Sequence, residues 1–427
     1  MPSEIKLNNK NLVFIFIISL ILFIINWFYQ FYFYNDDIIT KLLFSKKTEG
    51  QLYTYIKLLS SFEFNSAFYE GIDDLKNIPF PLGSLIFHSI FFKIFGDIGL
   101  VFIDFFGIFF FLIVFFLLFK NNVNNSYALL YSVFLFSLPS ILIHFFGKNF
   151  IYLTQLTNDF YNLRVHRPFP SSLYLYGSIL ILLLLQKNNF KDTKLFIIFG
   201  LILGLQATGF YYFFIISSIS FGLTLLLSKK TNLLVFIKKN YKNFIFLIFF
   251  FLITLIPFIF FIINSEPDIV TASGIFELSS DKKFFLIKYF LSKYFDIKFL
   301  IFNTLILSIY ISTNYYFKIS NRMLNTILIF YISSILSPII FFLISPKSGL
   351  IYHFTNSILL IGYIYIICFF LIIYYEITKN FTQKFFNYFL NLIILILVSY
   401  FNISYNKKIN ENIHSDVRTE FFEIKTL

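Results

Sequence analysis

Charge is scarce in this 427-residue chain: only 13% of its residues are Asp, Glu, Lys or Arg, against roughly 25% in soluble domains. That excludes a water-soluble globule. Cysteine occurs once, at Cys368 inside an apolar run, which excludes a disulfide framework, a cysteine-based metal site and a dithiol redox motif. Ionisable groups are nearly missing from the apolar runs, where Asp104 and His144 stand near the ends; a proton-coupled transporter needs such groups along its path. There is no phosphate-cradling glycine loop, dinucleotide glycine pattern, zinc-spaced His or Cys set, or nucleophile elbow.

What is present is apolar. The chain is 58% hydrophobic with a mean hydropathy of +0.79, and runs of twenty or so apolar residues recur from end to end, the length that needs lipid as solvent. The 68 Phe, with abundant Ile, Asn, Lys and Tyr, match what an AT-rich genome imposes on any protein, so aromatic stripes carry little functional meaning.

The fold expected is an all-α polytopic membrane protein of about eleven transmembrane helices. The spans are 11–34, 98–119, 126–146, 171–186, 195–208, 210–228, 243–263, 299–317, 323–344, 354–375 and 385–403. The first is far longer than a signal-peptide core and lacks a small-residue cleavage site, so it reads as a retained helix with Trp27, Tyr29, Tyr32 and Tyr34 at the outer interface. As one helix, 195–228 would measure roughly 51 Å at 1.5 Å per residue, against a hydrocarbon core of about 30 Å; a hairpin breaking near Ala207-Thr208-Gly209 fits better. Residues 80–95 are short for a span, open with Pro81 just after Pro79 and hold His88 and Lys93, and are expected as an interfacial helix on the outer face.

The formal charge of +12 then sorts by side. With the N-terminus inside, the inner segments are 1–10, 120–125, 187–194, 229–242, 318–322 and 379–384, and their Lys and Arg density is more than twice that of the outer ones; the run Lys229–Lys242 is the anchor, with five Lys and no acid. The excess charge is a cytoplasmic anchor and calls for no nucleic acid. One membrane domain over 1–403 is expected, with outer loops 35–78, 147–170, 264–298 and 345–353, the C-terminus outside, and a polar tail at 404–427. Loop 264–298 reads as solvated with some helix.

The outer loops hold the candidate chemistry. Asp36 and Asp37 follow the first span directly; interfacial aromatics partly desolvate a carboxylate there, which suits a general base or a divalent-metal ligand, although a solvated helix end looks the same. In loop 147–170, Arg164, His166 and Arg167 sit within four residues. Two guanidinium forks on the outer face make a phosphate clamp or a lipid-headgroup contact. Loop 345–353 adds Lys347, Tyr352 and His353.

The order of these features resembles the GT-C glycosyltransferases, integral membrane enzymes that take a sugar from a polyprenyl-phosphate donor on the outer face. Asp36-Asp37 is similar to the acidic residue of their first outer loop. NIPFPLGSLIFHSIFFKIFG (77–96) resembles the Pro-rich start, apolar helix and terminal Phe-Gly that close that loop. FGLILGLQATGFYYFFI (199–215) resembles a Gly-spaced hairpin, and Ile351-Tyr352-His353-Phe354 the aromatic-basic start of a late helix, with Ile351 where members often carry Arg. The resemblance implies an inverting glycosyltransferase in a bacterial inner (plasma) membrane. Asp36 or Asp37 would be the base, with Arg164, His166, Arg167, Lys347, Tyr352 and His353 holding the donor phosphate. Its partners would be a lipid-linked sugar donor, membrane lipids and a glycan, lipid or protein acceptor. No cofactor is required; a divalent cation, Mg or Mn, is compatible with Asp36 and Asp37. The alternatives are a surface-polysaccharide polymerase or ligase, and a lipid or glycan flippase or other transporter.

Overall fold

Polar residues stop and start the helices of this chain, and apolar residues fill them. In the computed structural model, Asn124 Oδ1 accepts from the Tyr127 amide at 3.0 Å, Asp192 Oδ1 from Lys194 at 3.0 Å, Asp296 Oδ1 from Lys298 at 3.2 Å and Asn321 Oδ1 from Met323 at 3.0 Å. Each cap satisfies an amide that the first helical turn leaves unbonded. The structure describes residues 8–33, 49–63, 67–69, 72–77, 82–146, 171–228, 233–263, 276–277, 279–316, 321–344, 347–348, 351–379, 396, 399–401 and 403–404.

The described residues are predominantly helical. In chain order they form α1 (Asn9–Phe33), α2 (Glu49–Ser60), β1 (Ala67–Tyr69), β2 (Ile72–Asn77), α3 (Leu82–Phe95), α4 (Asp97–Phe119), α5 (Asn125–Phe146), α6 (Ser171–Lys187), α7 (Thr193–Gly209) and α8 (Tyr211–Ser228). There follow α9 (Leu233–Lys239), α10 (Tyr241–Ile263), β3 (Phe276–Glu277), α11 (Ser280–Tyr294), α12 (Ile297–Ile311) running into a π-turn at Ser312–Tyr316, α13 (Arg322–Ile344), β4 (Lys347–Ser348) and α14 (Ile351–Thr378). The strands make two small antiparallel pairs, β1 with β2 and β3 with β4.

Among the described residues, five helices are long and apolar enough to cross a membrane: Asp97–Phe119, Tyr211–Ser228, Tyr241–Phe260, Arg322–Ile344 and His353–Thr378. The bent pair α11–α12 makes a sixth if taken as one span, and five shorter apolar helices of 10–17 residues accompany them. This is the pattern of a multi-pass membrane protein. The expected hairpin is present: α7 ends at Gly209, Phe210 is the break and α8 follows. The helix expected at 80–95 is α3, and the stretch 385–403 lies almost wholly outside the described residues.

The chain packs as two compact units. One comprises residues 3–63, 84–173 and 375–427; the other comprises 1–2, 64–83 and 174–374. In the first, α1 lies on α4. Ile15, Ser19, Leu22 and Trp27 form its buried stripe, while Val13, Phe14, Ile17, Ile21 and Ile24 stay exposed on the other faces. Phe16 and Phe23 meet the Phe105 ring edge-on at 5.2 and 5.9 Å. Trp27, expected at the outer interface, is buried against protein and donates from its indole Nε1 to Asp104 Oδ2 at 3.0 Å. The reason is that a carboxylate inside an apolar helix needs a donor, and the indole is the donor α1 presents. α4 packs in turn on α5, with Phe111 on Phe136 at 5.6 Å and Phe119 on Tyr131 at 5.4 Å.

In the second unit, α7 is held by α8 and α10, and α13 by α8 and α11. Gly200 and Gly204 form a small-xxx-small face on α7. A Cβ at Gly200 would run into the Leu247 carbonyl, and one at Gly204 into the Thr254 side chain, so the two backbones touch where side chains would hold them apart. Hydroxyls along these helices bond back to their own backbone, as Ser220 Oγ does to the Ile216 carbonyl at 2.8 Å and Thr224 Oγ1 to Ser220 at 2.7 Å. That satisfies them without a second helix.

Candidate functional site

The second unit gathers its helix ends into two groups. At one end, Thr193 Oγ1 bonds Asn243 Oδ1 at 2.8 Å, Thr326 Oγ1 lies 3.4 Å from Gln186 Oε1, the Phe190 and Phe236 rings meet at 6.1 Å, and Lys187 and Arg322 stand close enough for their charges to interact. All of these belong to, or adjoin, the segments 187–194, 229–242 and 318–322. The charge pattern had assigned those three to one side of the membrane.

The other end is aromatic and carries His353. The imidazole, in the first turn of α14, is 9% exposed. The Phe210 ring stands edge-on to it at 4.9 Å with an interplanar angle of 87°, and Tyr212 lies 5.0 Å away at 48°. Phe210 is at the α7–α8 break, so the hairpin that relieves an over-long apolar run also delivers the ring that packs on the histidine. Tyr211 stacks on Tyr212 at 4.1 Å, donates or accepts across a 2.7 Å hydroxyl pair with it, and stacks on Phe341 of α13 at 5.7 Å. Phe354 closes the group against Tyr212 at 4.7 Å and Phe341 at 5.5 Å. One turn on, Ser357 Oγ donates to the His353 carbonyl at 2.7 Å.

The same hairpin receives Gly83. A Cβ there would run into the Leu205 carbonyl and stand 2.8 Å from Thr208 Oγ1 and 3.1 Å from the Gly209 amide, and Tyr174 Oη donates to the Gly83 carbonyl at 2.7 Å. Only glycine permits that approach. The start of α3, the α7–α8 break and, through Phe210, the start of α14 are therefore linked through the hairpin. Comparison of the chain with protein-family models, with curated proteins and with solved structures found no match. The site rests on its own residues.

Of the eight residues selected from the sequence, Asp36, Asp37, Arg164, His166 and Arg167 lie outside the described residues. Lys347 is in β4, opposite Glu277 of β3, and Tyr352 and His353 are in the first turn of α14. Among the described residues no group of three or more His, Cys, Asp or Glu is placed to hold a metal ion. Sequence reasoning passed over Phe210, Tyr211 and Tyr212 because aromatics are so common here that no spacing marks them. It also passed over Gln206, fully buried, whose Nε2 donates to Ser178 Oγ at 3.0 Å; a lone Gln in an apolar run was the available clue.

Proposed function

We propose that this chain is a membrane glycosyltransferase of the GT-C kind, which moves a sugar from a polyprenyl-phosphate-linked donor to an acceptor hydroxyl on the extracytoplasmic face, with inversion. One observation supports it above others. Three of the four segments on which the resemblance rests, the segment 77–96 at the start of α3, the Gly-spaced α7–α8 hairpin and the aromatic-basic start of α14, meet through Gly83, Thr208, Phe210 and His353. Segments apart in sequence that converge at one end of a helical unit are what a site at that end requires.

The proposal carries the finer topology with it: about eleven spans, an outer interfacial helix at 80–95, a cytoplasmic N-terminus and an outer C-terminus in an inner membrane. The contacts among Lys187, Phe190, Thr193, Phe236 and Arg322 and their neighbours support one part of it, that the segments 187–194, 229–242 and 318–322 share a side. In the reaction, Asp36 or Asp37 takes the proton of the acceptor hydroxyl. The freed oxygen attacks the anomeric carbon, and the bond from that carbon to the phosphate oxygen breaks, releasing polyprenyl phosphate. A phosphate leaving group needs little acid assistance, so fixed positive charge on it supplies most of the stabilisation. Arg164, His166, Arg167, Lys347 and His353 are assigned that role, with Tyr352 beside them.

The test is transfer of labelled sugar from a polyprenyl-phosphate donor in proteoliposomes, with Asp36→Asn, Asp37→Asn and the double substitution. The double variant is expected to lose at least 100-fold, the low end for a general base; full activity in it sinks the base assignment. Cysteine accessibility across residues 35–78 tests the sidedness, and a cytoplasmic location removes the glycosyl-transfer proposal.

A further inference from the structure

α11 and α12 are both apolar in part, yet they do not form one continuous helix: they meet at a 62° bend. The bend carries four exposed polar residues, Ser292, Lys293, Asp296 and Lys298, interleaved with exposed Phe295 and Ile297, a mixture that suits the membrane boundary better than the hydrocarbon centre. From Ile297 through the π-turn to Tyr316 the chain already measures about 30 Å at 1.5 Å per residue, the thickness of the hydrocarbon core. α11 is therefore surplus to the span. With α12 near the bilayer normal, the bend leaves α11 about 28° from the membrane plane, within the spread that helix tilt allows.

Its depth follows from its neighbours. Phe290 packs on Phe342 at 5.8 Å and on Phe354 at 6.0 Å, which belong to the last turn of α13 and the first of α14. The strand just before it, β3, pairs with β4 in the connection between those two helices. α11 thus begins at the level of the loops and slants inward from there, its last residue Tyr294 donating from Oη to the Ile335 carbonyl of α13 at 2.6 Å.

Its side chains divide into three faces. Leu286 and Phe290 are buried in the unit. Phe284, Leu291 and Phe295, spaced by seven and four residues, form one flank and are 77%, 42% and 75% exposed. Lys282, Tyr289 and Lys293 repeat with the same spacing about 160° around the axis, Lys293 Nζ standing 5.6 Å from the Tyr289 ring. Exposed Lys288 and Phe285, the latter 68% exposed, lie between the flanks. The helix carries four Lys and one acid, Asp281.

We propose that α11 is an interfacial helix that docks on the bilayer surface and binds anionic phospholipid headgroups. Phe284, Leu291 and Phe295 enter the boundary of the acyl chains, and Lys282, Lys288 and Lys293 contact lipid phosphates. Apolar insertion combined with basic attraction is the physical basis of such binding, and its occupant is fixed by charge: a zwitterionic surface offers the lysines no net attraction, an anionic one does. The inference does not depend on the glycosyl-transfer proposal.

The test uses the full chain in nanodiscs, with Leu291→Cys in a Cys368→Ser background carrying an environment-sensitive fluorophore. Lipids with a nitroxide high on the acyl chain are expected to quench it more than lipids with a deep one, and aqueous iodide to quench it little. In parallel, co-purified lipid is measured from mixed phosphatidylglycerol and phosphatidylcholine. The wild type should enrich the anionic lipid, and removing lysines through Lys282→Gln, Lys288→Gln and Lys293→Gln should cut that preference by about fivefold each, the equivalent of roughly 1 kcal/mol per lysine. Thermal stabilisation by phosphatidylglycerol, with no equal effect of free inorganic phosphate, completes the expected set. Iodide quenching at 291 without lipid quenching overturns the inference. So does an anionic preference that is missing in the wild type or undiminished in the triple variant, or stabilisation reproduced by free phosphate.

Discussion

α4 and α10 are each 23 residues long and comparably apolar, yet more than half of α4's apolar window, 56%, is buried by protein and only 6% of α10's is. α4 is packed by bulky rings on α1 and α5, with Phe111, Phe115, Phe116 and Phe119 all nearly inaccessible. α10 instead meets α7 along a face where Gly200 and Gly204 bring backbones together, with Phe244 and Phe251 adding ring contacts to Phe196 of α7 at 5.4 Å and Phe214 of α8 at 5.4 Å, and turns Ile245, Ile248, Phe249, Leu252 and Phe260 outward. Lipid tails are as apolar as Leu or Phe, so outward side chains cost α10 nothing. Helices in a membrane can therefore associate through interlocked aromatic volume or through close backbone approach, and hydropathy does not tell the two apart.

Four substitutions would break or sharpen that contrast, measured by unfolding in detergent or bicelles. Phe115→Ala in α4 should cost about 3 kcal/mol, the lower part of the range for a buried Phe because lipid removes the transfer contribution and leaves the cavity. Gly204→Leu on α7 should cost about 2 kcal/mol, because the new side chain meets Thr254 and α10 must move away; a disulfide cross-link between cysteines placed along the α7–α10 seam should form in the wild-type background and fail in this variant. Trp27→Phe keeps the ring and removes the donor to Asp104, with an expected loss of about 1 kcal/mol. Phe249→Leu on the outward face of α10 should stay within about 0.5 kcal/mol of the wild type. A large loss there, or none at Phe115, would reverse the assignment of which helix is held by protein.

Much of the helix map was legible beforehand, for a physical reason that applies residue by residue. The apolar runs 126–146 and 323–344 each form a helix, and in the structure Asn124 and Asn321 cap them where they start. The break near Gly209 followed from length alone, since an unbroken helix would overshoot the bilayer. α11 was less legible: its charged residues gave 264–298 the look of a solvated loop with some helix, and a helix with three different faces has no single periodic stripe to fix its bounds. At the site, His353 was selected as a basic residue at a membrane boundary. Its setting was not, because the rings that surround it come from the α7–α8 break, about 140 residues earlier in the chain, and aromatic residues are too frequent here for any one of them to stand out.

Composition and the lengths of its apolar runs, by themselves, determined that this chain needs lipid and where most of its long apolar helices lie. Those properties are local: they depend on the transfer of one segment from water and on the bonds of one helix end. Tertiary structure alone decided that Trp27 turns inward to Asp104, that Gly83 seats against the hairpin, that Phe210 and Tyr212 enclose His353, and that α10 faces outward while α4 does not. In an apolar solvent the hydrophobic effect no longer chooses which face of a helix is buried, so shape, small residues and the few polar groups make that choice, and they act between segments distant in the chain.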